Sequence, residues 1–208
     1  MLISADFAEV LGVLLGDGCV CRYRSQGRYF FQTAFTASSS EYWYYEEFIK
    51  PTLERNCGVS GRLFLRNDNT TRYHISGLKL AAELIRLGIP VGKKRDASIP
   101  SCVLEGGQVI PFIRGIYHAE GSIYRRYSKR YNRHAKVYDN LLTIQIRMKL
   151  STLMHQLREE LTKLGISCNR LIDRDGVYTL RITSQLMVRK FLEIIQPRYK
   201  TMPHQANL

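Results

Sequence analysis

Two carboxylates stand at matching places in this chain. Asp17 follows the run Leu11-Gly12-Val13-Leu14-Leu15-Gly16 and Glu120 follows Arg114-Gly115-Ile116-Tyr117-His118-Ala119, each with a glycine after it. Small residues recur four apart in both runs: Gly12 and Gly16 in the first, Gly115 and Ala119 in the second. Positions four apart share one helix face, and small residues there let two backbones approach closely. If the two helices pack through these positions, Asp17 and Glu120 emerge side by side. Adjacent carboxylates repel unless a positive charge lies between them. Paired hard oxygens suit a divalent cation, magnesium first. An acid at a helix C-terminus opposes the helix dipole. Its occurrence twice at one register, about half a chain apart, favours a metal role over two ordinary buried helices.

Charge indicates what such a metal would act on. The chain has 208 residues, with 31 Lys and Arg against 18 Asp and Glu, a net charge of +13. That excess points to a polyanion, most simply nucleic acid. No single helix gathers the basic residues as a membrane surface would require. No run of 18 apolar residues exists, so no transmembrane helix is expected. The N-terminus lacks the basic segment and apolar core of a signal peptide, so an intracellular location is expected. Five cysteines without a C-x-x-C pair argue against a disulfide framework or a zinc site.

The elements that must position the acids repeat by halves. Asp6 and Glu9 form a capping pattern for a helix from about Phe7 to Gly16. A hairpin follows over residues 19–37, then a helix opened by Ser38 in which Pro51 predicts a break or kink. Arg62–Arg66 and Thr71–Ser76 read as a second hairpin. Gly77–Leu87 reads as a helix with Leu78, Leu80, Ala81, Leu84 and Ile85 inward. The second half repeats the order, with a helix from Ile110, a strand from Ser122 and a basic loop Ser128–Lys136. Then come a strand Val137–Lys149, a helix from Ser151, a hairpin (Ile166–Asp173 and Val177–Thr183) and a last helix from Ser184. The fold expected is α+β, in two αββαββα halves at 1–89 and 109–208 joined by a linker at 90–108. Lesser matches share this order: Gln32 and Gln145 each lie six before a helix-opening serine, and Lys93 and Lys200 each follow a Pro-x-x.

Two such motifs, each heading an αββαββα half, resemble the monomeric two-motif LAGLIDADG homing endonucleases. The motifs are Leu11–Gly18 and Arg114–Gly121, and the order of elements covers nearly the whole chain. The resemblance implies a pseudo-twofold saddle of two four-stranded antiparallel sheets over double-stranded DNA. It implies hydrolysis of one phosphodiester per strand, leaving a staggered cut, by a monomer that uses Mg2+ or another divalent metal. Carried over, Asp17 and Glu120 are the metal ligands, assisted by the carbonyls of Gly16 and Ala119. Lys93 and Lys200 are the basic residues expected around the site.

Recognition is expected from the sheets, where a β-ribbon presents Arg and Gln to base edges. Candidates are Gln32, Arg62, Arg66, Arg72, Thr143, Gln145, Arg147, Lys149, Arg170, Arg174 and Arg181, with Tyr178 beside them. Most basic contacts give affinity through phosphate and no sequence choice. The alternative on the same fold is a non-cleaving nucleic-acid binder, such as an intron maturase with intron RNA as its partner.

Overall fold

A computed structural model describes residues 2–128 and 136–202. They form two compact units, Met1–Ala119 and Glu120–Leu208. No described helix is long and apolar enough to cross a membrane.

In the first unit, Ser4 rather than Asp6 opens helix α1 (Ala5–Asp17). Its hydroxyl accepts the Phe7 N–H at 3.2 Å, satisfying a donor that the helix leaves orphaned. Glu9, expected to complete a capping pattern, is instead fully buried. Strands β1 (Gly18–Ser25) and β2 (Arg28–Ser38) pair antiparallel. They join at Gln26 and Gly27, both with positive φ, the turn geometry that matches strand twist.

Ser38 and Glu41 form a capping box on a 3-10 turn, Ser39–Glu41. The helix then continues through α2 (Tyr42–Tyr44), a π-helical stretch (Tyr45–Ile49) and α3 (Lys50–Cys57). Pro51 therefore does not break the helix. The wider π stretch lies just before it, where a proline ring would otherwise press on the preceding turn.

Strands β3 (Arg62–Leu65) and β4 (Thr70–Ser76) complete a sheet of order β1-β2-β4-β3, followed by α4 (Leu78–Arg86). Leu80, Ala81 and Leu84 are buried on α4, whereas Leu78 and Ile85 face solvent. The sheet's inner face carries Val20, Thr33, Phe35, Tyr73 and Ile75, all buried. The segment after α4 is partly built into the unit. Val91 bridges Val20, and Ile89, Ile99 and Val103 are buried. It includes the short helix α5 (Ser101–Glu105) and leads to α6 (Val109–Glu120), with Pro111 in its first turn.

The second unit repeats the topology. Its strands are β5 (Gly121–Ser128), β6 (Lys136–Met148), β7 (Ile172–Arg174) and β8 (Val177–Ile182), in the order β5-β6-β8-β7. Helices α7 (Ser151–Lys163) and α8 (Gln185–Ile195) pack on this sheet. Strand β7 is shorter than the expected Ile166–Asp173. The Ile166 N–H bonds back to Leu161 O, and Gly165 is left-handed. That stretch therefore closes α7 instead of starting a strand. Of the expected basic loop, residues 129–135 lie outside the described residues.

Candidate metal-ligand helices and nucleic-acid interface

Helices α1 and α6 meet backbone to backbone. A Cβ placed on Gly12 would lie 2.9 Å from Ile116 N and 3.0 Å from Gly115 Cα, and one on Gly115 would lie 2.9 Å from Val13 N. Only glycine fits at either position. The contact is reinforced by a buried polar cluster around Glu9. Its carboxylate accepts from Tyr44 Oη at 2.8 Å and Arg114 Nη1 at 3.2 Å, with His118 Nδ1 at 3.4 Å. His118 Nδ1 also lies 3.0 Å from Tyr44 Oη. A buried carboxylate is costly unless paired and hydrogen-bonded, and these partners supply both. The cluster joins α1, α2 and α6, yet its members are far apart in the sequence. The one early signal was an acid in the apolar stretch of α1.

The end of α1 carries Asp17, half-buried. Its charge, after burial itself, helps push the buried Tyr45 phenol well above its ordinary range. The basic residue on this helix end is Lys94, the neighbour of the expected Lys93. Lys94 Nζ donates to the carbonyls of Leu15 and Gly16 at 2.7 Å, Gly18 at 2.9 Å and Leu14 at 3.4 Å. It thereby satisfies orphaned C-terminal carbonyls and complements the dipole there. Lys93 is exposed. A carbonyl oxygen has two acceptor sites, so Gly16 O can serve Lys94 and a metal together. Glu120 ends α6 and, like Ala119, is half-buried. Lys200 is left-handed, with its ammonium 5.5 Å from the Tyr199 ring centre. Among the described residues, no group of three or more His, Cys, Asp or Glu could hold a metal ion. A metal here would take at most two such side chains, with carbonyl or substrate oxygens completing its shell.

On the first sheet, the outward face carries Gln32, in register with Cys21 and Ser76. Arg72 lies opposite Thr36 and Phe64, and Arg62 opposite His74. Arg72 Nε is buried with no hydrogen-bond partner among the described residues. Arg66 lies beyond β3 and pairs with Asp68 at 3.2 Å. Tyr23 and Phe30 stack with ring centres 5.7 Å apart and stay exposed, an aromatic patch the sequence reading did not single out.

On the second sheet, Ser122, Tyr124, Arg126, Thr143, Gln145, Arg181 and Thr183 line an open groove. A second depression beside it adds Arg147, Arg174 and Thr179. Lys149 and Arg170 are exposed but lie outside the strands, and Tyr178 is on β8 next to the buried Thr179 and Leu180. The structure thus gathers Thr143, Gln145, Arg147, Arg174 and Arg181 on one surface.

Residues 107–196 match the family model of the LAGLIDADG-like domain. The chain carries a LAGLIDADG-like domain. Its fold, across both sheets, is that of LAGLIDADG meganucleases. The homing endonuclease I-DmoI in complex with DNA and Mn superposes with a TM-score of 0.64 at 21% identity, covering 94% of this chain and 98% of that one. Mesophilic variants of I-DmoI give 0.63 at 22% identity over 92% and 88%. The LAGLIDADG meganuclease I-AabMI, bound to uncleaved DNA, gives 0.62 at 15% identity over 98% and 87%. At these identities the likeness is one of fold. No curated protein matches the chain.

Proposed function

We propose that the chain is a homing endonuclease that hydrolyses one phosphodiester on each strand of a specific DNA site and leaves a staggered cut. The observation that carries this is the backbone-tight contact of two helices, α1 and α6, each ending in an acid. Such a contact has a purpose if the acids must work together. The shared fold with DNA-bound homing endonucleases supports the substrate.

In this reading Asp17 and Glu120 hold the metal, with the carbonyls of Gly16 and Ala119 in support. These hard oxygens favour magnesium. A bound divalent ion would polarise the phosphate and supply a nucleophilic hydroxide near neutral pH. Lys94 keeps the end of α1, and with it Asp17, in place. Lys93 and Lys200 are the basic residues assigned to the surroundings of the metal. Each sheet face contacts the duplex, and the internal duplication lets a monomer supply both halves, 1–89 and 109–208, with 90–108 as the connection.

The test is digestion of a double-stranded DNA library with and without Mg2+, followed by sequencing of the ends. A single long site with staggered cuts is expected. Asp17→Asn and Glu120→Gln should abolish cutting while retaining binding. Full-rate cutting of both strands by either variant would remove the assigned ligands. Binding to a structured intron RNA with no DNA cleavage in Mg2+ would shift the function to splicing assistance.

A further inference from the structure

We infer that Arg181 selects guanine at one position of the target, and that Gln145 is the positioning residue that orients its guanidinium. The inference rests on the DNA-binding reading above and adds to it which base is chosen and how.

Gln145 on β6 sits opposite Arg181 on β8 and opposite Ser122 on β5. Its sequence neighbours Ile144 and Ile146 are fully buried, as are Leu180 and Ile182 beside Arg181. Alternation therefore turns Gln145 and Arg181 to the outward face. There Arg181 Nε donates to Gln145 Oε1 at 3.0 Å, and Tyr124 Oη donates to the same oxygen at 3.5 Å. An arginine Nε can only donate, so the amide must turn its oxygen towards it.

This arrangement divides the two roles. Arg181 Nε takes one acceptor site of Gln145 Oε1 and Tyr124 Oη stands at the edge of hydrogen-bond reach of the other, so the Gln145 oxygen is turned to Arg181 and away from the pairing that reads adenine. Arg181 keeps both Nη groups without a protein partner among the described residues, in a plane fixed at Nε. That fork matches O6 and N7 of guanine in the major groove. A phosphate contact needs reach more than a fixed plane, and the exposed Arg147 and Arg174 suit it better. Arg126, also in the groove, spends an Nη2 donor on Thr183 O at 3.0 Å.

The experiment is a binding selection on a random double-stranded DNA library, using the full chain in calcium. Wild type should select a sequence in which one guanine is lost as a preference, about tenfold or more, in Arg181→Met, which has no donor. Other positions should keep theirs. Gln145→Leu should relax the same position, whereas Gln145→Glu, which retains an acceptor for Nε, should preserve it. Retention of every guanine preference in Arg181→Met, or an even loss across the site, would overturn the assignment. An unchanged profile in Gln145→Leu would overturn the positioning role. If wild type selects no sequence at all, the DNA-binding reading fails and this inference with it.

Discussion

Lys94 sets its ammonium against four carbonyl oxygens at the end of α1, and two of them, those of Gly16 and Gly18, flank Asp17. Charge-assisted hydrogen bonds of this kind contribute about 1.5–3 kcal/mol. Lys94→Met should lower the unfolding free energy by an amount in that range and slow cleavage more than it weakens DNA binding. Denaturant unfolding beside single-turnover cutting would check it, and a variant with wild-type stability would remove Lys94 from the helix end. His74 makes a second prediction at this scale. Burial first, then the charges of Arg72 and Arg62, hold its imidazole below the ordinary 6.5. The unfolded chain therefore takes up this proton first. The contribution to stability is complete above pH 6.5 and declines as the pH falls from there towards the folded value. NMR titration of the free protein should give a His74 midpoint below 6.5; a midpoint at or above it would contradict this environment.

The pairing of α1 with α6 is the element on which the acids depend. Replacing Gly12 by alanine would raise helix propensity by about 0.8–1 kcal/mol. The new Cβ would meet backbone atoms of Phe112, Gly115 and Ile116, which cannot swing aside as a side chain can. Overpacking of this kind costs about 1–3 kcal/mol, so the collision should win. Gly12→Ala is expected to melt below wild type and to cut more slowly, since the helix ends that carry the acids would shift. A melting temperature equal to or above wild type would show that the contact is looser than described. The Glu9 cluster fixes the same pairing by a different means. It has to be satisfied in one register, with Tyr44, Arg114 and His118 all in place, whereas apolar surfaces can slide.

At the scale of the molecule the +13 charge would, in the proposed function, set how DNA is held. Basic residues on the outward sheet faces would then neutralise phosphates and release counterions. If about six phosphates are engaged, the slope of log affinity against log salt is about −5, and affinity falls about a thousandfold between 50 and 200 mM salt. Fluorescence anisotropy across that range would measure it. A slope near zero would show that the charge serves some other purpose. The repeated strand order, β1-β2-β4-β3 and β5-β6-β8-β7, gives each half its own outward sheet face.

The two motifs, the order of elements and the outward placement of most sheet candidates were legible in the sequence. They depend on local spacing, four-residue periodicity in helices and alternation in strands, and tertiary context did not override them. The helix through Pro51 and the shortened β7 departed from the reading because backbone hydrogen bonds can be rearranged locally at little cost, by a π stretch in one and a helix cap in the other. Lys94 rather than Lys93 could not have been chosen beforehand. The two are adjacent and identical in chemistry, and only the path of the chain past α1 decides which ammonium meets the carbonyls. The Glu9 cluster and the Arg181–Gln145 pair also needed the folded chain, because their hydrogen bonds join residues that are neighbours only once helices pack and strands align. Sequence determined which groups the protein carries and on which face of each element they lie. Tertiary structure decided which of them meet, since a polar contact is fixed by ångström-scale distance and direction that no one-dimensional spacing contains.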